Sequence, residues 1–309
     1  MGAFDKLRGD QDQSGATTQV LSTGGSRVGF WITKLIGEAY RCEINYSHSR
    51  FIAEFVNTLS NIPSILIGLY GCYQVLKNDI PKRYSLCYLG LSLIGAGSFG
   101  FHASLRWEWQ LMDELPMIYV VSYAAYLAVD TLPGFKPRFG LLGPLFLVAW
   151  DVFVTVSYIC LPNPVYHQAA FAVILITAIL RTGALLLELP KGYPARETTG
   201  RLLVRGVTIF ALGFVIWNID NIFCEQLKSI RSFVGPLGVL VEGHAFWHYM
   251  TGYGSFLLFT ASTYLHLLKK DTTSAYSIEG YWLPTVRRVT EVNSDFKNNT
   301  TLVSVFEAK

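Results

Sequence analysis

Residues 84–105 read YSLCYLGLSLIGAGSFGFHASL, twenty-two positions without an aspartate, glutamate, lysine or arginine. A run of about 20 apolar residues is what an α-helix needs to cross the roughly 30 Å hydrocarbon core of a bilayer. Six further apolar runs lie at about 52–76, 111–131, 139–160, 165–188, 203–223 and 243–268. Proline and glycine punctuate the connections, as in LPGFKPRFG at 132–140, LPNP at 161–164 and LPKGYP at 189–194. Composition agrees: 51% of the 309 residues are hydrophobic, only 15% are charged, and the mean hydropathy is +0.34. An ordinary soluble domain carries about 25% charged residues, so this chain could not cover a water-facing surface. The expectation is an all-α membrane protein, a seven-transmembrane-helix bundle over 51–268. A polar N-terminal segment (1–50) precedes it, and a tail expected to be disordered (269–309) follows. The net charge of +3 is too small to mark a nucleic-acid binder.

Basic residues in short loops orient the bundle. Lys77, Lys82, Arg83, Lys136, Arg138, Lys191, Arg196, Arg201 and Arg205 fall on one side, against Arg106, Lys228 and Arg231 on the other. The richer side is expected to face the cytosol, which makes the N-terminus lumenal and the C-terminus cytosolic. Cys42, before the first run, and Cys224, after the sixth, then share the lumenal side, where an oxidising environment permits a disulfide. Whether the two can reach each other is a question for structure.

Ionisable groups inside membrane spans are costly and mark function by default. Three clusters stand out: Ser98 and His102; Gln110, Asp113 and Glu114; and His244 with His248. The orientation puts all three in the lumenal half of the membrane. His244 and His248, at i and i+4, leave one helix face about 6 Å apart. Three histidines with a fourth position open are the set that binds Zn²⁺ and activates a water. Asp113 is placed to take and return a proton, and Ser98 to stabilise an oxyanion. The HxxxH lacks the glutamate of the HExxH proteases. GAGSFG at 95–100 matches a dinucleotide-binding pattern but sits inside an apolar span with no strand before it, which removes that reading. A second oxygen-rich group, Glu43, Asn45 and Glu54, suits Ca²⁺ by ligand type. Asp220 is expected to pair with a neighbouring helix, and His48, His167 and His266 to be surface or interfacial.

The segments CEINY (42–46), FIAEFVNTLSN (51–61), GAGSFGFHASL (95–105), QLMDELPMIY (110–119), WNIDNIFCE (217–225) and HAFWHYMTGYGSF (244–256) resemble the alkaline ceramidase family. That family belongs to a superfamily of seven-helix membrane hydrolases that also includes the adiponectin receptors. The resemblance implies zinc-dependent cleavage of the N-acyl amide bond of ceramides, phytoceramide or dihydroceramide among them, to a sphingoid base and a free fatty acid. It implies zinc on His102, His244 and His248, catalysis by Asp113 and Ser98, and calcium on Glu43, Asn45 and Glu54. It further implies a Cys42–Cys224 disulfide, a ceramide-type substrate taken from the bilayer, and residence in the endoplasmic reticulum or Golgi. One departure bears on calcium: Tyr40 stands where the family carries an acidic ligand, so affinity for Ca²⁺ is expected to fall. The alternative reading is a seven-helix lipid-sensing receptor of the adiponectin-receptor type, without turnover. A transporter would place its charges around the midplane, whereas these gather at one end.

Overall fold

A computed structural model describes residues 42–271 and 273–289. Residues 1–41, with Tyr40 among them, and 290–309 lie outside the described residues. The helices in chain order are α1 (Phe55–Leu59), α2 (Ile62–Lys77), α3 (Ser85–Ser104), α4 (Trp107–Val129), α5 (Leu142–Cys160), α6 (Pro164–Leu187), α7 (Pro194–Ile222), α8 (Cys224–Val234) and α9 (Gly243–Lys270). Two strands follow, β1 (Ala275–Glu279) and β2 (Thr285–Val289).

Helix ends follow local chemistry. Asn163 caps α6 by accepting the Val165 N–H at 2.9 Å, and Pro164 occupies the first turn, where its missing N–H costs nothing. α7 begins at Pro194 rather than near 203, for the same reason: proline starts the helix, and its first turns carry Arg196, Glu197 and Arg201 before the apolar run. The first apolar run is broken at Ser60–Asn61 between α1 and α2. Pro116 is accommodated within α4, which continues through it.

Among the described residues, five segments are long and apolar enough to cross a membrane: Phe55–Lys77, Lys82–Ser104, Leu142–Cys160, Val165–Leu187 and Pro194–Ile222. α4 and α9 are also long, at 23 and 28 residues, but are interrupted by polar side chains. Only 11% of the apolar window of α6 is buried in protein, against 56% for the span containing α3. α5 presents Leu142 and Phe146 at 75% and 73% exposure. Outward apolar faces of this extent need lipid, and the protein is a mostly α-helical, multi-pass membrane protein.

α9 lies at the centre. Phe256, Leu257, Ala261, Leu265 and Leu267 are fully buried on it, and it joins Tyr84, Tyr88 and Leu91 of the α3 region and Leu202 of α7 in one core. The α7–α9 contact is close because glycines face each other: a Cβ on Gly206 would lie 3.1 Å from the Gly254 carbonyl oxygen.

At the end of α9, Lys270 and Asp130 are buried together, with Lys270 Nζ 3.3 Å from Asp130 Oδ2 and Arg83 Nη1 3.2 Å from the same oxygen. His266 is buried beside Tyr84, and His167 is buried with Nε2 2.8 Å from the Glu114 carbonyl oxygen, so of the surface or interfacial placement expected, the surface one is excluded for both. The expected disordered tail is corrected in part as well. β1 and β2 form an antiparallel hairpin, with Tyr276 opposite Arg288 and Ile278 opposite Val286, and Tyr276 and Val286 join the core. Asp271 anchors it by accepting from Thr273 N at 3.0 Å, Ser274 N at 3.1 Å and Tyr276 OH at 2.7 Å.

Candidate metal centre

The site is assembled where α3 stops. Leu105 ends that helix in the left-handed region, at φ +53°, leaving last-turn carbonyls without intrahelical donors. Two are taken by the chain entering α1: Ala53 N–H donates to Ala103 O and Glu54 N–H to His102 O, each at 3.0 Å. That pairing lays Glu54 over His102. Glu54 is fully buried, and its Oε2 is 2.5 Å from His102 Nδ1.

The other two histidines arrive on α9, one helical turn apart. His102, His244 and His248 each offer a ring nitrogen, and these atoms all lie within 4.8 Å of one another. Ring centroids are separated by 4.9 Å for His102–His244, 4.9 Å for His102–His248 and 4.7 Å for His244–His248. His248 Nδ1 is held by Ser60 Oγ at 2.7 Å, with Asn61 Nδ2 lying 3.3 Å away and donating to Asn57 O, both residues coming from the break between α1 and α2. With Nδ1 engaged on His102 and on His248, Nε2 is the nitrogen available at the centre, an arrangement that fixes tautomer and ring orientation in metal sites. Ser98 Oγ stands 3.5 Å from His248 Nε2. The donor set, three imidazoles with ordered outer partners on His102 and His248, fits a zinc ion.

Asp113 is half-buried on the second turn of α4. It is brought to α3 by Gly97, whose hydrogen points at the α4 backbone: a Cβ there would fall 1.9 Å from Met112 O and 2.9 Å from Asp113 N. Glu114, its neighbour, turns to Gln110 Nε2 at 3.2 Å and to the hydroxyl of buried Tyr158.

Two of the three residues expected to hold calcium, Glu43 and Glu54, have protein partners. Glu43 accepts the Val56 and Asn57 N–H groups at 2.7 and 2.9 Å, capping α1. Burial pushes its carboxyl up to about 7, the two amides and Arg231 oppose this, and nearby Glu54 adds to it. Glu54 is assigned to His102, a role the sequence reading had not given it. Asn45 is half-buried and makes no side-chain hydrogen bond to either carboxylate among the described residues. Cys42 and Cys224 stand at disulfide distance, with Cα atoms 5.2 Å apart. Asp220 pairs with Arg231 of α8, its Oδ1 2.7 Å from Nη2.

Sequence reasoning missed Ser60, Asn61 and Arg231. The first two lie in FIAEFVNTLSN, where a Ser-Asn pair interrupting an apolar run was the available signal. Arg231 reads in the sequence only as a loop charge.

Three convergent, oriented imidazoles within a helical bundle define an integral-membrane protein with a candidate catalytic metal centre. The ceramidase family model matches residues 39–291, and the chain belongs to that family. It is similar to alkaline ceramidase 3 of Mus musculus, 38% identical over 239 residues that cover 74% of this chain and 85% of the relative. It is also similar to alkaline ceramidase YPC1 of Saccharomyces cerevisiae, 29% identical over 256 residues (78% and 80%), and to an alkaline ceramidase of Arabidopsis thaliana, 28% identical over 226 residues (72% and 80%). Membership makes the chain an enzyme, a hydrolase of amide bonds.

Proposed function

We propose that the protein hydrolyses the N-acyl amide bond of ceramides, phytoceramide and dihydroceramide included, with zinc held by His102, His244 and His248. The observation that carries this reading is the convergence of those imidazoles with Nδ1 of two of them fixed by Glu54 and Ser60. Bound zinc would supply Lewis acidity and make a water nucleophilic near neutral pH. Asp113 acts as general base on the attacking water and then returns the proton to the leaving amine. Ser98 donates its hydroxyl hydrogen to the amide oxygen as negative charge develops there. Outward apolar faces place the protein in the bilayer, where a two-tailed lipid substrate resides.

The reading takes α4 and α9 as spans beside the five apolar segments, seven in all, with the N-terminus lumenal and the C-terminus cytosolic. Their lengths and the bias of basic loop residues support this. The Cys42–Cys224 bond fits an oxidising lumen, and the endoplasmic reticulum or Golgi is the proposed residence. Calcium on Glu43, Asn45 and Glu54 is proposed only as a weak ligand, because it competes with the α1 amides and with His102.

The test is metal content and fatty-acid release on detergent-purified protein given ceramide and phytoceramide, with His248→Ala as control. About one zinc per chain, and release abolished in the variant, is the expected result. Zinc without turnover on any ceramide favours the receptor reading, and active protein free of zinc overturns the mechanism.

A further inference from the structure

Arg231 is the most connected buried cation near the candidate metal centre. It sits on α8 at 8% exposure. Its Nη2 lies 2.7 Å from Asp220 Oδ1 at the end of α7, 3.1 Å from Glu242 Oε2 and 3.0 Å from Val241 O, while Nη1 donates to Cys42 O at 2.8 Å. One guanidinium thus joins the end of α7, the residues that lead into α9, and the backbone at the disulfide. A planar fork of donors can serve several acceptors at once, which an ammonium cannot do in the same geometry.

The partner that matters is Asp220. Its Oδ1 takes the Arg231 contact and also accepts the N–H of Gly243, the first residue of α9, at 3.2 Å. A carboxylate at a helix N-terminus satisfies an orphan donor and complements the helix dipole. The next residue is His244, and His248 follows one turn later. The placement of both α9 imidazoles therefore depends on where Asp220 holds the helix start, and Asp220 is itself held by Arg231.

We propose that Arg231 is a positioning residue of the metal centre, acting through Asp220 on the start of α9 to set His244 and His248 for ligation. This rests on the metal-hydrolase reading above. Arg231 touches neither the histidines nor the reacting atoms. Its role is to keep the α9 start registered against α3, which carries His102.

The experiment uses the full-length chain in detergent, stripped of metal and titrated with Co²⁺, whose visible absorption reports both affinity and coordination geometry. Native protein is compared with Arg231→Met, Arg231→Lys and Asp220→Asn, and the melting of each metal-free chain is recorded. Asp130→Asn, at the far end of the bundle, controls for lost stability alone. Arg231→Met is expected to lower cobalt affinity by about 10-fold or more, the scale of outer-shell partners, and to alter the band shape. Arg231→Lys is expected to recover part of the loss. Asp220→Asn, nearly isosteric, is expected to weaken cobalt binding with the guanidinium still present, and it carries the test if Arg231→Met does not fold. Native affinity and band shape in Arg231→Met or, failing that, in Asp220→Asn overturn the proposal. So does an equal loss of affinity in Asp130→Asn. Native protein that binds no cobalt overturns the metal reading itself, and the positioning role with it.

Discussion

Replacing Glu54 by glutamine exchanges one carboxylate oxygen for an amide nitrogen in a side chain that is fully buried. Shape is kept and charge is lost. The exchanged group faces His102, whose Nδ1 is 2.5 Å from Glu54 Oε2. Asn57 Nδ2 is a second neighbour of that oxygen, at 3.3 Å. The backbone bond from Glu54 N–H to His102 O, at 3.0 Å, does not involve the side chain, so the segment stays docked on α3. What changes is the basicity of the imidazole, because a hydrogen bond to a neutral acceptor is about half as strong as one to an ionised acceptor. Outer partners of this kind are worth about 10- to 100-fold in metal affinity, or about 1.4–2.8 kcal/mol. The assay is competition for zinc between the purified chain and a chelator of known affinity, with fatty-acid release followed at limiting and at excess zinc. Glu54→Gln is expected to lose affinity within that range and to regain part of its activity when zinc is in excess. Glu54→Asp, which keeps the charge but withdraws it, should fall between the two. A glutamine variant that holds zinc as tightly as the native chain would refute the reasoning and leave Glu54 as a residue that only secures its own segment.

Gly97→Ala is expected to destabilise the protein by about 1–3 kcal/mol, since its Cβ would fall 1.9 Å from Met112 O and backbone cannot yield cheaply. Activity should fall further than stability, because α4 carries Asp113, and denaturation in detergent beside turnover would separate the two effects. Cys224→Ser should lower stability by about 2–4 kcal/mol and abolish the mobility difference between reduced and non-reduced protein on a denaturing gel. No change in mobility in native protein would mean that the Cys42–Cys224 bond does not form. Glu43 holds its proton to about pH 7 in the folded chain, against 4.5 for the free side chain, with burial the main cause. The folded state then binds more protons across that interval, so this residue's contribution makes stability fall as pH rises from about 4.5 to about 7. Glu43→Gln should flatten that part of the pH profile, and an unchanged slope would show that another group sets it.

The apolar runs were readable because a membrane helix satisfies its own backbone and shows its character residue by residue. α3, α5 and α6 accordingly begin and end close to where composition changes. α7 ran nine residues past its apolar limit at the N-terminal end, because proline and solvated charges can extend a helix beyond the lipid. The break at Ser60–Asn61 and the hairpin at 275–289 left weak traces, since both depend on what they pack against.

Sequence by itself determined the class of the protein and singled out the three histidines of its candidate centre. Hydropathy says which segments leave water, and polar clusters gathered at one end of such segments mark a site by their cost. Only tertiary structure decided the partners. Glu54 reads as an oxygen ligand in isolation, and becomes the carboxylate on His102 because the end of α3 has carbonyls to offer the chain beside it. Arg231 reads as a loop charge, and becomes a buried hub because α7, α8 and the start of α9 close around it. Such roles depend on contacts between residues as far apart as Glu54 and His102, or Cys42 and Arg231, and spacing along a chain carries no record of them.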